Sequence, residues 1–211
     1  FPFALGENNE KRKLYITEHP MCTSLYKPNE KLLNLYHELQ YMNLKKESEI
    51  ETITLDSFVD KYSIDIIDFI KIDVQGAELD IFKGSKKLLN NVLKIVCEVE
   101  FVPLYHNQPL FGDITKFLSQ YNFMFNKFLG LSGRALKPLI ANKDKTVASQ
   151  HMWTDAIFVR DIEKIEDLNS EKLLKLSVLA AIYNSLDLTM FYLTLYDKKN
   201  SSTLAKDWMS N

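Results

Sequence analysis

The chain has 211 residues, 46 % of them apolar, enough to fill one sizeable domain core and too apolar for a disordered chain. Lys and Arg number 26 against 28 Asp and Glu, a net charge of -2 with no long basic run, which argues against nucleic-acid binding. Cys22 and Cys97 permit at most one disulfide. Cys97 lies in an apolar stretch and reads as a buried free thiol, and the pattern fits a reducing, cytoplasmic setting.

Phe1 to Gly6 reads as the end of a buried strand, so the chain is expected to be a fragment or a gene product begun late. Residues 13–16 predict a short strand and 17–30 a loop. Leu32, Leu33, Leu35, Tyr36, Leu39 and Met42 place a helix over 31–44. Residues 49–55 alternate as a strand, and a helix opens after Leu55 with Asp56 or Ser57 as its N-cap.

The clearest strand is 68–74, rich in β-branched and aromatic residues. It stops at Gln75-Gly76, and a helix follows over 77–90. A second apolar strand covers 93–101. Strand, helix and strand at this spacing form a βαβ unit, which implies parallel pairing. A helix over 113–120, a strand over 123–128 and a strand over 156–159 complete the pattern. The connection 129–151 is long enough to be a functional lid. Residues 170–196 form an apolar helical stretch broken near 184–187. Lys172, Lys175, Asn184 and Asp187 interrupt it, so it is no membrane span. It reads as a helical hairpin packed on the domain or as a face that pairs two copies.

Three clusters can carry chemistry. In open α/β sheets ligands sit beyond the carboxyl ends of strands, which is where Asp73 falls. Gly76 allows a tight turn or a close ligand approach, and Glu78 complements the helix dipole. Without a ligand, Asp73 would cap the helix, Gly76 would only turn the chain, and Lys71 would pair with Asp73 on one face. Glu98 and Glu100 share one face of the next strand and Cys97, Val99 and Phe101 the other. Two carboxylates in an apolar strand suggest a polar cleft, or a partly solvated strand face. Tyr105-His106 and His151 to Asp155 are polar-aromatic loops of the kind that line pockets. No Cys/His set has metal-ligand spacing, so no metal site is expected.

Phe-Ile-Lys-Ile-Asp-Val-Gln-Gly-Ala-Glu at 69–78, followed in order by Glu98-Val99-Glu100-Phe101, Pro103-Leu104-Tyr105, Gln108-Pro109-Leu110-Phe111 and Trp153-Thr154-Asp155-Ala156, resembles the FkbM family of S-adenosylmethionine-dependent methyltransferases. The resemblance covers most of residues 1–160. It implies an α/β fold with a mostly parallel, Rossmann-like class I methyltransferase sheet. Residues 1–165 would form a partial methyltransferase domain, with 166–211 as a C-terminal helical extension packed on it. S-adenosyl-L-methionine is the implied cofactor, touched by Ala4, Leu5 and Asp73. The family's glycine-rich loop and its ribose-binding acidic residue would precede Phe1. The implied reaction is O-methylation of a sugar or small-metabolite hydroxyl. Asp73, Glu98 and Glu100 are the catalytic candidates, and Tyr105, His151 and Asp155 the residues for a small-molecule or glycan acceptor. The alternative is a truncated, non-catalytic chain acting at most as a binding module.

Overall fold

The structure, a computed structural model, describes residues 3–140, 143–144 and 147–210. Phe1 and Pro2 of the expected first strand lie outside the described residues, as do four residues of the connection after 129. The chain divides into two compact units, Phe1–Phe158 and Val159–Asn211.

In chain order the first unit carries β1 (Ala4–Leu5), β2 (Glu10–Thr17), α1 (Glu30–Leu33), β3 (Leu44–Ile53), α2 (Leu55–Tyr62), β4 (Phe69–Ile72) and α3 (Glu78–Lys83). It continues with β5 (Lys94–Glu100), α4 (Phe111–Ser119), β6 (Phe123–Phe128), β7 (Ser132–Gly133) and β8 (His151–Arg160), the last running into the second unit. One sheet has the order β1-β3-β2. The other has the order β4-β5-β8-β6, with β7 added along β8.

The architecture is mixed α/β. Strands β1 and β3, and strands β4 and β5, pair in parallel. Strands β2 and β3, and strands β7 and β8, pair antiparallel. The expectation of a mostly parallel sheet is therefore corrected. Parallel sheets need both faces covered, whereas an antiparallel pair tolerates water on one face. Strands β2 and β3 carry Lys, Arg and Glu and are largely exposed, which suits the antiparallel arrangement.

The main core lies around β4 and β5, where Ile70, Ile72, Ile95 and Cys97 pack with Phe82, Leu118 and Phe158. Cys97 is a free, buried thiol, as expected. Burial of this apolar surface is the main favourable term for the fold.

Three expected elements differ. The helix over 31–44 shrinks to the single turn of α1, and Glu38 turns left-handed at φ 58°. Leu33, Tyr36, Leu39 and Met42 are buried all the same, in a second cluster with Tyr105 and Met152. Packing, not helical periodicity, set that spacing. The N-cap of α2 is Thr54, whose Oγ1 accepts from Ser57 N at 3.0 Å. Asp56 instead accepts from Lys87 N at 2.9 Å and Leu88 N at 3.0 Å. The helix over 77–90 ends at Lys83, and a single turn follows at Leu88–Asn90.

The second unit holds α5 (Ser170–Ile182), α6 (Leu186–Asn200) and α7 (Leu204–Met209). The break between α5 and α6 falls at Asn184, with φ 51°, as the polar residues there predict. The Asp197 carboxylate accepts from Leu204 N at 3.0 Å and Ala205 N at 2.9 Å and so caps α7. Among the described residues, no helix is long and apolar enough to cross a membrane.

Candidate active site

β4 stops at Ile72 because the chain reverses at Gln75 (φ 58°) and Gly76 (φ 94°). At Gly76 a side chain would be strained by the positive φ and would press on Gln108 Nε2, 2.9 Å from where its Cβ would sit. Glu78, 1 % exposed, clamps this turn: its Oε1 accepts from Val74 N at 2.8 Å. Burial raises the Glu78 pKa to about 7, against the pull of the Val74, Glu78 and Gly76 backbone N–H groups. Expected only to complement the helix dipole, Glu78 also ties the turn to its own helix through the Val74 bond.

Gln75 is the hub of the site. Its backbone carbonyl accepts from Ser24 Oγ at 2.7 Å. Its Nε2 donates to Asp73 Oδ1 and to Glu98 Oε2, each at 2.8 Å. Its Oε1 accepts from the Tyr105 hydroxyl at 3.3 Å, and that hydroxyl also donates to the Cys22 carbonyl at 2.9 Å.

Glu98 and Glu100 leave β5 on the same face, opposite Cys97 and Val99 of the core, as the alternation predicts. Glu100 is 2 % exposed, and the Gln108 side chain lies beside its carboxyl group. Burial, then the charges of Asp73 and Glu78, push the Glu98 pKa up to about 8. Burial, then Glu78 and Glu98, push Glu100 well above the usual carboxylate range. These carboxylates hold protons that an exposed carboxylate would lose.

Two cavities open onto this cluster. The larger, about 700 Å³, is lined by Ala4, Leu5, Leu25, Phe69, Asp73 and Gln75 among others. The smaller, about 390 Å³, is lined by His19, Tyr41, Gln75, Glu98, Glu100 and Trp153 among others. Gln75 and Met21 line both. One wall of the smaller cavity is stiffened by stacking: the Arg134 guanidinium lies 5.1 Å from the Trp153 ring centre.

The structure thus gathers Ala4, Leu5 and Asp73 on one cavity and Glu98 and Glu100 on the other. Tyr105, His151 and Asp155 line neither of them. Tyr105 is fully buried beneath Gln75. His151 is exposed and pairs with Gly133 across β7 and β8. Asp155 accepts from Lys71 Nζ at 2.6 Å, so the partner of Lys71 is Asp155 and not Asp73. Sequence reasoning passed over Gln75 as a turn residue and left out Tyr41 and His19, which come from the irregular segment before β3. Trp153, part of the His151–Asp155 loop expected to line a pocket, does line the smaller cavity. One oxygen each from Asp73, Glu78 and Glu98 lies within 4.8 Å of the others, close enough to share a metal ion.

Residues 1–125 match the methyltransferase FkbM domain. Over 103 residues the chain is 29 % identical to the 2-O-methyltransferase NoeI of Sinorhizobium fredii, an alignment that covers 49 % of this chain and 42 % of that protein. The chain thus matches less than half the length of this curated relative. No solved structure matches. With more than half of its residues inside the domain match, the chain belongs to the FkbM methyltransferase family.

Proposed function

We propose that this chain forms the reacting part of an S-adenosylmethionine-dependent O-methyltransferase whose acceptor is a hydroxyl of a sugar or small metabolite. The observation that carries this reading is the meeting of two cavities at Gln75 and Met21. A group-transfer enzyme needs donor and acceptor side by side, and such positioning supplies roughly 7–11 kcal/mol of the barrier. The family membership and the 2-O-methyltransferase name of the relative support methyl transfer to oxygen. The parallel β4-α3-β5 unit, with its carboxylates beyond the strand ends, supports a Rossmann-like reading of this part of the fold.

The larger cavity fits the cofactor. Ala4, Leu5, Leu25 and Phe69 offer apolar contact, Asp73 supplies a carboxylate at the other end, and the volume suits a molecule of that size. Bound there, S-adenosylmethionine would supply an electrophilic methyl group. In the smaller cavity Trp153 and Tyr41 offer flat faces to a ring, and Glu98 and Glu100 offer hydrogen-bonding groups. Glu98, with a pKa near 8, is placed to take the hydroxyl proton. Asp73, fixed by Gln75, aligns the reacting oxygen from the cofactor side.

Calorimetric titration with S-adenosylmethionine, followed by transfer of labelled methyl to a panel of sugars, tests the reading. Saturable binding with turnover that Asp73→Asn abolishes in a still-folded chain is expected. Normal turnover in Asp73→Asn would remove its role, and failure to bind the cofactor at millimolar concentration would favour a non-catalytic binding module.

A further inference from the structure

The connection that follows β6 is tied down and yet holds apolar side chains out. Ala135, 2 % exposed, anchors it, and its carbonyl accepts from His37 N at 3.0 Å. Lys137 N donates to Leu35 O at 2.9 Å, and Leu139 N closes a turn on Leu136 O at 3.1 Å. Around these fixed points Leu35, Leu136, Leu139, Ile140 and Val147 are 48–61 % exposed. Leu136, Leu139 and Val147 line one recess, and Leu35 joins them through its bond to Lys137. Single exposed leucines need no explanation, whereas a contiguous set marks a docking surface.

Charge complementarity identifies the partner. Residues 127–147 hold Lys127, Arg134, Lys137, Lys143 and Lys145 against Asp144 alone, so this stretch carries +4 in a chain of net charge -2. The rest of the chain therefore carries -6. Lys137 and Lys143 are exposed within the same stretch. Protein interfaces favour aromatic residues and Met and are poor in Lys. This surface has the opposite make-up, aliphatic groups among lysines. That suits an anionic lipid layer, with the apolar groups at the acyl boundary and the ammonium groups among the headgroups.

We infer that the stretch 129–147 docks on a lipid surface that carries negative charge. The surface adjoins the acceptor side of the site. Arg134 of this stretch stacks on Trp153, and Trp153 lines the smaller cavity together with Tyr41, from the segment to which the stretch is tied. Docking would bring the hydroxyl of a lipid-carried sugar to that cavity. This use rests on the proposed function; the lipid binding does not.

The test needs neither cofactor nor acceptor. The 211-residue chain is sedimented with vesicles of phosphatidylcholine alone and of equimolar phosphatidylcholine and phosphatidylglycerol, at low and high salt. Binding to the anionic vesicles that salt weakens is expected, with little binding to the neutral ones. Leu139→Asp should weaken it by about tenfold or more, the worth of one buried leucine. Lys143→Gln should weaken it by about fivefold, the worth of one cation near such a surface. Val178→Asp, at an exposed position of α5, should bind as the wild type does. Circular dichroism checks that each variant is folded. No binding to anionic vesicles at low salt, or equal binding by the wild type and Leu139→Asp, overturns the inference. So does a loss confined to Val178→Asp, which would place the docking on the helices. A dimer in ultracentrifugation that Leu139→Asp breaks while vesicle binding is unchanged also overturns it, since the surface would then face a second copy. Vesicle binding by a chain that transfers no methyl group upholds the docking and sinks the proposed reaction. Methyl transfer to a free sugar by a chain that binds no vesicle does the reverse.

Discussion

Asp73 and Glu98, beyond β4 and within β5, share a single hydrogen-bond donor, Gln75 Nε2, at 2.8 Å from an oxygen of each. One neutral amide cannot offset two carboxylates. The result is a Glu98 held protonated to about pH 8, first by burial and then by the charges of Asp73 and Glu78.

That proton makes stability depend on pH. The folded pKa of Glu98 lies above its ordinary value of 4.5, so the folded chain binds the proton more tightly than the unfolded one. Stability from this group is full below about pH 4.5, falls as pH rises towards 8, and is flat beyond. Glu98→Gln removes the titration. Relative to the wild type, this variant should gain on the order of 1–3 kcal/mol between pH 5 and pH 9. Urea unfolding at both pH values measures it, and an identical wild-type-to-variant difference at the two would show that Glu98 titrates normally.

The same proton should appear in kinetics. If ionised Glu98 accepts the hydroxyl proton, kcat/KM rises about tenfold per pH unit below pH 8 and then levels. Glu98→Gln should be slower by roughly 10²–10⁴-fold, the usual worth of a positioned base, and should lack that limb. A variant that keeps the full pH profile would move the role to another group.

Much of this site was legible because strand patterning is local. The run 69–72 and the alternation of Glu98 and Glu100 with Cys97 and Val99 placed both sets of carboxylates correctly. What the patterning could not reveal depends on contacts distant in sequence. Gln75 reads as a turn residue until β4 and β5 pair and bring Glu98 against it. Lys71 alternates with Asp73, yet its partner lies 84 residues away. Tyr41 reached the cavity because the segment after α1 is irregular: His37 N and Lys137 N tie it to the 129–151 connection, through Ala135 O and Leu35 O. Mixed pairing was hidden for a similar reason, since β2 and β3 are joined only through a 26-residue excursion.

Gly84, the residue after α3, packs closely against the loop that follows β1. A Cβ there would run into the Gly6 carbonyl oxygen and lie 3.2 Å from Thr54 Cβ. Gly84 O also accepts from Asp56 N at 3.0 Å, so the residue is fixed from both sides. Gly84→Ala should cost about 1–3 kcal/mol, the range for forcing atoms into packed structure. Because Gly6 adjoins Ala4 and Leu5, the same change should weaken cofactor binding. Thermal unfolding together with cofactor titration reads both effects, and a variant as stable as the wild type would show that the 6–7 loop yields freely.

Tyr105 supports the site without touching either cavity. Its hydroxyl is buried and shares its one hydrogen between Cys22 O at 2.9 Å and Gln75 Oε1 at 3.3 Å, tying the 20–22 turn to the hub. Burial, followed by the nearby Cys22 and Glu100, raises its pKa, which keeps it a donor at any working pH. Tyr105→Phe preserves the ring in the second core cluster and deletes only that donor. The expected cost is about 1–2 kcal/mol, because the one hydrogen that the two carbonyl oxygens share is lost in a buried setting. Freed of this bond, the Gln75 amide should hold Asp73 and Glu98 less firmly, so the apparent pKa of Glu98 should shift as well, followed by NMR titration of its carboxyl carbon. A loss of stability with an unmoved Glu98 titration would mean that Tyr105 braces the 20–22 turn alone and that Gln75 keeps its orientation through the two carboxylates.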